Sequence, residues 1–138
     1  MVQQKSGCFG SAMMQFRKID PPRKFQVGDS DAPIQLSHVM DINLGPDEQV
    51  TFTAKNGGEF DVCRKSWGYY ATPSINDRLI RFGYRTCLVK SNDRHYIHLV
   101  EKDKIDEYLE YLIIQNMKVI QWLDEIVPEL NDHEKVRQ

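Results

Sequence analysis

Residues 64–90 read RKSWGYYATPSINDRLIRFGYRTCLVK and contain the signals that decide the fold. Pro73 restricts the residue before it to an extended backbone, and Ser74 is a good N-cap for a helix that begins there. Gly83 supplies the left-handed position that commonly ends a helix. Between these two residues, apolar side chains recur at the spacing of one helical face: Ile75, Leu79 and Phe82. The stretch therefore predicts a helix over residues 74–82.

Before this stretch, alternating apolar and polar residues predict strands. Residues 34–40 alternate in the manner of a half-buried strand. Residues 50–54 and 60–62 alternate in the same way on either side of Asn56-Gly57, a dipeptide typical of tight hairpin turns. We therefore expect a β-hairpin whose second strand leads directly into the basic and aromatic stretch.

After the predicted helix, the pattern continues with strands over residues 84–90 and 95–101. A helix follows over residues 103–115, and a final strand covers residues 118–123. The full order is β-β-β-α-β-β-α-β. This order predicts an α+β domain with a mainly antiparallel β-sheet and two helices packed on one side.

The chain of 138 residues has the size of one domain. Residues 1–33 are predicted to form a flexible leader and extended arm, residues 34–123 a single α+β domain, and residues 124–138 a charged tail. An alternative for the first segment is that its large apolar side chains dock on a partner chain: Met13, Met14, Phe16 and Phe25.

The composition indicates a soluble protein of a reducing compartment. Cys8, Cys63 and Cys87 are widely spaced and odd in number, which favours free thiols over a disulfide framework or a zinc site. The first residues lack the apolar core of a secretory signal, and no stretch is long and apolar enough to span a membrane. We therefore predict a cytoplasmic protein without membrane insertion.

Positive charge is concentrated in the middle of the chain. Residues 64–94 contain seven Lys or Arg and two Asp, a net charge of +5, whereas the whole chain carries −2. The other residues therefore carry −7. A basic segment in an acidic protein indicates a local anion site, not a nucleic-acid surface, which is usually a basic stripe in a basic domain.

The predicted helix start is the candidate for that anion site. Free backbone N–H groups and the helix dipole favour anions at a helix N-terminus. The hydroxyls of Thr72 and Ser74 lie at this start, and Arg64, Lys65 and Arg78 lie near it in the sequence. The alternative is purely structural, because serine is an ordinary N-cap residue.

Three aromatic residues near the helix start are candidates for stacking on a sugar or a base. In an extended segment Trp67 and Tyr69 face one side and Tyr70 faces the other. At least one of the three is expected to be core, while the others form a platform for a ligand. The alternative is that all of them serve packing.

The sequence predicts no metal site and no cofactor, and it contains no established catalytic signature. His95 and His98 are three residues apart, which in a strand places them on opposite faces, so they do not chelate one ion. Cys63 lies beside Arg64, which would lower the pKa of a thiol, and a thiol enzyme is one alternative. A small buried residue is the other alternative.

Several segments together resemble a family of small bacterial proteins associated with surface-polysaccharide (lipopolysaccharide and O-antigen) biosynthesis gene clusters. They are PPRKFQVGD, LGPDEQVTF, EFDVCRKSWGYYATPSINDRLIRFGYRTCLVK, HYIHLVEKDK and VIQWLDE, within residues 20–125. The family has no established activity, so the resemblance implies a context and no mechanism. That context is carbohydrate assembly, in which activated sugars are anionic nucleotide derivatives.

Two functional hypotheses follow. The first is a cytoplasmic accessory or binding protein for bacterial surface-carbohydrate biosynthesis that binds an anionic sugar derivative or sugar nucleotide at the helix N-terminus. The second is a protein–protein adaptor or homodimer without a small-molecule ligand, with a biosynthetic enzyme or a second copy as its partner. Whether the protein catalyses a reaction is left open by the sequence.

Overall fold

The structure, a computed structural model, describes residues 4–6 and 14–125. These residues form antiparallel strands and two α-helices. The strands are β1 (Gln4–Ser6), β2 (Gln15–Val27), β3 (Ile34–Asn43), β4 (Gln49–Thr53), β5 (Glu59–Lys65), β6 (Gly68–Ala71), β7 (Tyr84–Ser91), β8 (Arg94–Glu101) and β9 (Lys118–Trp122). The helices are α1 (Arg78–Arg81) and α2 (Ile105–Ile114), with 3₁₀ turns at Lys102–Lys104 and Leu123–Glu125.

The strands form three sheets of three strands each, in the orders β1-β2-β3, β4-β5-β6 and β8-β7-β9. Strand β9 follows α2 and pairs with the free side of β7, so β7 is the central strand of its sheet. The α+β class with antiparallel pairing is confirmed. The predicted single sheet with six strands is wrong, because the structure has three sheets and adds β1, β2 and β6 to the predicted strands.

Strand β2 lies in the segment for which the sequence predicted a leader and an extended arm. It pairs with β3 from Gln15 to Val27, with a shift in register between Lys18 and Arg23. The residues within that shift are Ile-Asp-Pro-Pro, which interrupt any alternation of apolar and polar side chains. Pairing with β3, which the local pattern does not reveal, makes this segment a strand.

The helix predicted over residues 74–82 is much shorter in the structure. Only Arg78–Arg81 is helical. Residues 75–77 form a turn, in which the carbonyl of Ser74 accepts from the backbone N–H of Leu79 at 3.0 Å. The predicted end is confirmed, because Gly83 has a positive φ of 91° and donates its N–H to the Ile80 carbonyl at 2.8 Å.

The predicted hairpin between β4 and β5 is confirmed, but of the two turn residues expected to take a positive φ only Gly57 does, with 91°. The Asn56 side chain instead accepts from the N–H of Gly58 at 2.9 Å. Phe52 then lies opposite Phe60 with stacked rings. Helix α2 ends one residue before its predicted limit, where Asn116 takes a left-handed φ of 59°.

The best-packed core lies between α2 and one face of the sheet β8-β7-β9. Four buried side chains form its centre: Cys87, Val89, Val100 and Leu112. Partly buried residues surround them, namely Ile105, Tyr108, Met117, Val119 and Trp122. Helix α2 therefore covers the face of β7 that carries Cys87 and Val89 and does not cover the opposite face.

The described residues include no helix long and apolar enough to cross a membrane. Cys8, Met13 and the predicted tail from residue 126 onward lie outside the described residues. The division of the chain into leader, domain and tail stays a prediction. Two residues of the predicted tail are described: Asp124 and Glu125 both accept hydrogen bonds from the Arg85 guanidinium.

Candidate functional site

The hairpin of β5 and β6 holds the aromatic residues that the sequence singled out. Trp67 lies in its turn and stacks on Tyr70, with ring centroids 6.2 Å apart and planes inclined by 20°. Trp67 is 70% exposed, and Tyr69 and Tyr70 are exposed as well. We call these three residues the aromatic tip. The expectation that at least one of them belongs to the core is wrong, and the turn places Trp67 beside Tyr70 instead of Tyr69.

Arg64 fixes the shape of this turn. Its guanidinium donates hydrogen bonds to the carbonyls of Lys65 and Gly68, the latter at 3.0 Å. The same guanidinium lies 4.9 Å from the centroid of the Tyr69 ring, a cation–π contact. Arg64 therefore ties the turn to β5 and packs on Tyr69, and part of its donor capacity is used inside the hairpin.

Lys65 is the cation on the Tyr70 side of the hairpin. Tyr70 lies opposite Cys63, and Lys65 follows Cys63 by two residues, so both side chains are on one face. Its ammonium lies 2.5 Å from a carboxylate oxygen of Asp47, and that hydrogen bond raises the pKa of Lys65. Exposed pairs of this kind contribute little to stability. Lys65 can therefore exchange this partner for the anion of a ligand.

The other predicted ligand residues surround an acid of the protein itself. Asp61 is buried, and its carboxylate accepts from Thr51 at 2.5 Å, from Arg78 at 3.0 Å and from Thr72 at 3.4 Å. Arg78 also donates to the Thr72 hydroxyl at 3.0 Å. The structure thus brings Thr72 and Arg78 together as predicted, with Asp61 in the position of an anion.

Ser74 has an internal contact too. Its exposed hydroxyl accepts from the backbone N–H of Arg78 at 2.9 Å. The predicted N-cap is wrong, because Asp77 holds that position in α1 and its side chain makes no capping bond. Because α1 has four residues, it has little of the dipole that makes a helix N-terminus attractive to anions. A role in ligand binding for Thr72, Ser74 and Arg78 stays a prediction, but their contacts are those of a structural network.

Cys63 is buried in the middle of β5, and its sulfur lies 3.6 Å from the Arg64 carbonyl oxygen. Among the described residues, no histidine forms a hydrogen bond with the Cys63 thiol. Those residues also contain no group of three or more side chains placed to hold a metal ion. This environment is that of a small buried residue, the alternative to a catalytic thiol in the interpretation of Cys63.

A buried polar network on the other side of the molecule was not expected from the sequence. The Tyr108 hydroxyl lies 2.7 Å from Nδ1 of His98 and 3.3 Å from the sulfur of Cys87. Burial raises the pKa of Cys87 and Tyr108 and lowers the pKa of His98. All three groups are therefore neutral near pH 7 and unsuited to nucleophilic chemistry.

The network predicts that acid destabilises the fold. The pKa of His98 is below its ordinary value of 6.5, so the unfolded chain binds a proton first as the pH falls. We expect the free energy of unfolding to decrease below about pH 6.5 by up to about 1.4 kcal/mol per pH unit. Urea denaturation across this range measures it. His98→Gln should flatten the decrease, whereas replacing the exposed His95 with glutamine should preserve it, and equal profiles for all three proteins would contradict the prediction.

An apolar groove of about 190 Å³ lies between the first two sheets. It is lined by Met14, Phe16, Met40, Ile42, Leu44, Gln49 and Val50. Two of these residues, Met14 and Phe16, are among those that the sequence offered for contact with a partner chain. Because the lining contains no charged side chain, the groove does not suit an anionic ligand, and the candidate site stays at the aromatic tip.

Comparison with known proteins found no matching family model, no matching curated protein and no matching solved structure. The likeness to proteins of surface-polysaccharide gene clusters therefore stays an expectation from the sequence.

Proposed function

We propose that the protein is a cytoplasmic binding protein for an anionic sugar derivative or sugar nucleotide of surface-carbohydrate biosynthesis, with its ligand at the aromatic tip. One observation carries the proposal. The fold holds a stacked Trp67–Tyr70 pair in water, with the cation of Lys65 on the same side. Large aromatic side chains are usually at least partly buried, and an exposed stacked pair offers a flat apolar face to a ligand.

The chemistry of this surface fits a ligand with both a flat face and an anion. Sugar rings and nucleobases stack on indole and phenol rings, and a phosphate next to the stacked ring would replace Asp47 as the partner of Lys65. Arg64 supports the arrangement from inside the hairpin. A sugar is the expected ligand because of the sequence resemblance. The stacking face and the cation are properties of Trp67, Tyr70 and Lys65.

Titration calorimetry with a panel of nucleotide sugars tests this proposal. We expect Trp67→Ala to weaken binding about fivefold or more, because an aromatic stack contributes roughly 1–3 kcal/mol. Lys65→Ala should weaken binding and reduce its dependence on salt, because it removes the ion pair with the ligand. A matched control is Tyr96→Ala, which removes a partly exposed aromatic from a different sheet and should leave affinity unchanged.

No heat with any nucleotide sugar would overturn the proposal. Equal losses in Trp67→Ala and Tyr96→Ala would also count against it, because the effect would then not be specific to the aromatic tip. The same experiment also shows whether the protein is an enzyme. Turnover of a nucleotide sugar produces a continuing heat signal, whereas binding alone does not.

A second candidate function is a protein–protein adaptor or homodimer. It is favoured by the isoleucines that the described surface leaves in water: Ile97 is 57% exposed, Ile114 60% and Ile113 79%. Single exposed apolar residues are ordinary, but Ile113 and Ile114 are neighbours at the end of α2, and Ile97 lies on the face of the sheet that points away from α2. Two exposed apolar surfaces on one chain are typical of contacts between chains.

A further inference from the structure

Two lysines and a histidine lie side by side across the sheet β8-β7-β9. Lys90 of β7 is directly opposite Lys118 of β9 on one side and His95 of β8 on the other. All three are exposed, and none forms an ion pair among the described residues. Similar charges directly opposite each other destabilise a sheet. Such a row indicates a binding surface for an acidic partner.

Apolar residues continue the same face of this sheet. Leu88 lies opposite Ile97, and they are two residues away from Lys90 and His95, respectively. They therefore point to the same side as Lys90, away from α2, which covers the side of Cys87 and Val89. We call this surface the basic face: Leu88, Lys90, His95, Ile97 and Lys118.

Helix α2 carries a surface of the opposite charge. Its buried side is marked by Leu112, with Ile105 and Tyr108 packed against the core. The opposite side of the helix presents acids followed by exposed isoleucines, which we call the acidic face: Asp106, Glu107, Glu110, Ile113 and Ile114. These acids form no ion pair among the residues that the structure describes.

We propose that the acidic face of one copy of this chain packs on the basic face of a second copy. The two faces match in charge and in apolar content. They also match in spacing, because acids three or four residues apart on a helix are about 5–6 Å apart, close to the roughly 4.8 Å between neighbouring strands. A helix laid obliquely across the sheet would set two successive acids against two neighbouring members of the row and direct its isoleucines toward the apolar residues.

The two faces lie on opposite sides of one sheet-and-helix layer, so each copy offers both. The contact is therefore head-to-tail and not two-fold symmetric, and it builds rings or short filaments. This inference rests on the self-association of the second candidate function and gives it a surface and a partner, as a head-to-tail assembly in place of a two-fold dimer. It does not involve the aromatic tip.

Two variants, each defective in one face, test the proposal by sedimentation velocity. Ile113→Ser/Ile114→Ser removes the apolar part of the acidic face, and Lys90→Glu reverses the centre of the basic face. We expect wild-type protein to self-associate at about 100 μM, and each variant alone to be at least about tenfold weaker. An equimolar mixture should form a heterodimer and nothing larger, because one good copy of each face is then present.

The outcomes distinguish an error in the proposed contact from an error in the proposal that the chain self-associates. A monomeric wild type at the same concentration would overturn both the inference and the homodimer proposal. Self-association that persists in both variants, or a mixture without heterodimer, would overturn the inference alone and leave another dimer surface. Val39→Ser, which removes an exposed apolar side chain from β3, is the matched control and should associate as the wild type does. Added salt should weaken the wild-type association.

Discussion

Replacing Asp61 with alanine is expected to lower the free energy of unfolding by about 2–4 kcal/mol, because a buried carboxylate is lost together with its charge-assisted hydrogen bonds. The carboxylate accepts hydrogen bonds from Thr51, Thr72 and Arg78 and is itself buried. Without it the Arg78 guanidinium, which is partly buried, loses its counter-charge. The strands β4, β5 and the turn before α1 would lose the group that joins them.

Urea denaturation of Asp61→Ala and of a matched control measures this effect. Asp77 pairs with Arg81 on the exposed surface of α1, at a similar distance of 3.0 Å, and Asp77→Ala should change the free energy of unfolding by less than about 1 kcal/mol. A loss of about 1 kcal/mol or less for Asp61→Ala would show that the network is not needed for stability.

The same network affects how ligand-binding experiments are interpreted. Arg78→Ala removes the cation from beside Asp61, so it is expected to destabilise the fold as well. A loss of binding in that variant would not identify Arg78 as a ligand contact. Lys65 is the better test of an anion contact, because its partner Asp47 is exposed and the pair contributes little to the fold.

Local signals in the sequence predicted local structure well. The Asn56-Gly57 turn, the end of α1 at Gly83 and the end of α2 at Asn116 all depend on backbone conformations that few residues adopt. These positions can be identified without knowledge of distant parts of the chain. The α+β class and the strands from β7 onward followed from the same kind of signal.

Contacts between distant segments account for what the sequence did not predict. Strand β2 exists because it pairs with β3 along its length, although its own residues do not alternate regularly. Asp61 alternates with Phe60 and Val62 and so has the pattern of a solvent-facing acid, yet Arg78 reaches it from 17 residues away and allows its burial. The sequence therefore placed Thr72 beside Arg78 correctly, but it did not reveal the internal acid, and Arg64 and Lys65 make their contacts elsewhere, in and beside the β5–β6 hairpin.

Gln115 is a further residue whose role depends on distant contacts. In the sequence it is a polar residue at the end of a helix, but it is buried. Its side-chain amide donates to the Ala32 carbonyl at 2.7 Å, and its oxygen accepts from the N–H of Asp29 at 2.7 Å. These two bonds join the turn between β2 and β3 to the end of α2, which no local pattern predicts.

Gly28→Ala is expected to break this junction and to lower the free energy of unfolding by about 2–4 kcal/mol, the sum of backbone strain and lost buried hydrogen bonds. Gly28 has a positive φ of 92°, and a methyl group there would lie 2.5 Å from the side-chain oxygen of Gln115. Gln115 would have to move, leaving the Asp29 N–H and the Ala32 carbonyl without their partner.

A double-mutant cycle separates the two contributions. Gly57→Ala is the matched control, because Gly57 has nearly the same φ of 91° but has nothing within 4 Å of the added methyl group, so it reports strain alone. In the Gln115→Ala background, Gly28→Ala should cost only about as much as Gly57→Ala, roughly 1–2 kcal/mol. If Gly28→Ala costs the same with and without Gln115, the junction does not depend on the space that glycine leaves, and the turn between β2 and β3 is held by its own backbone.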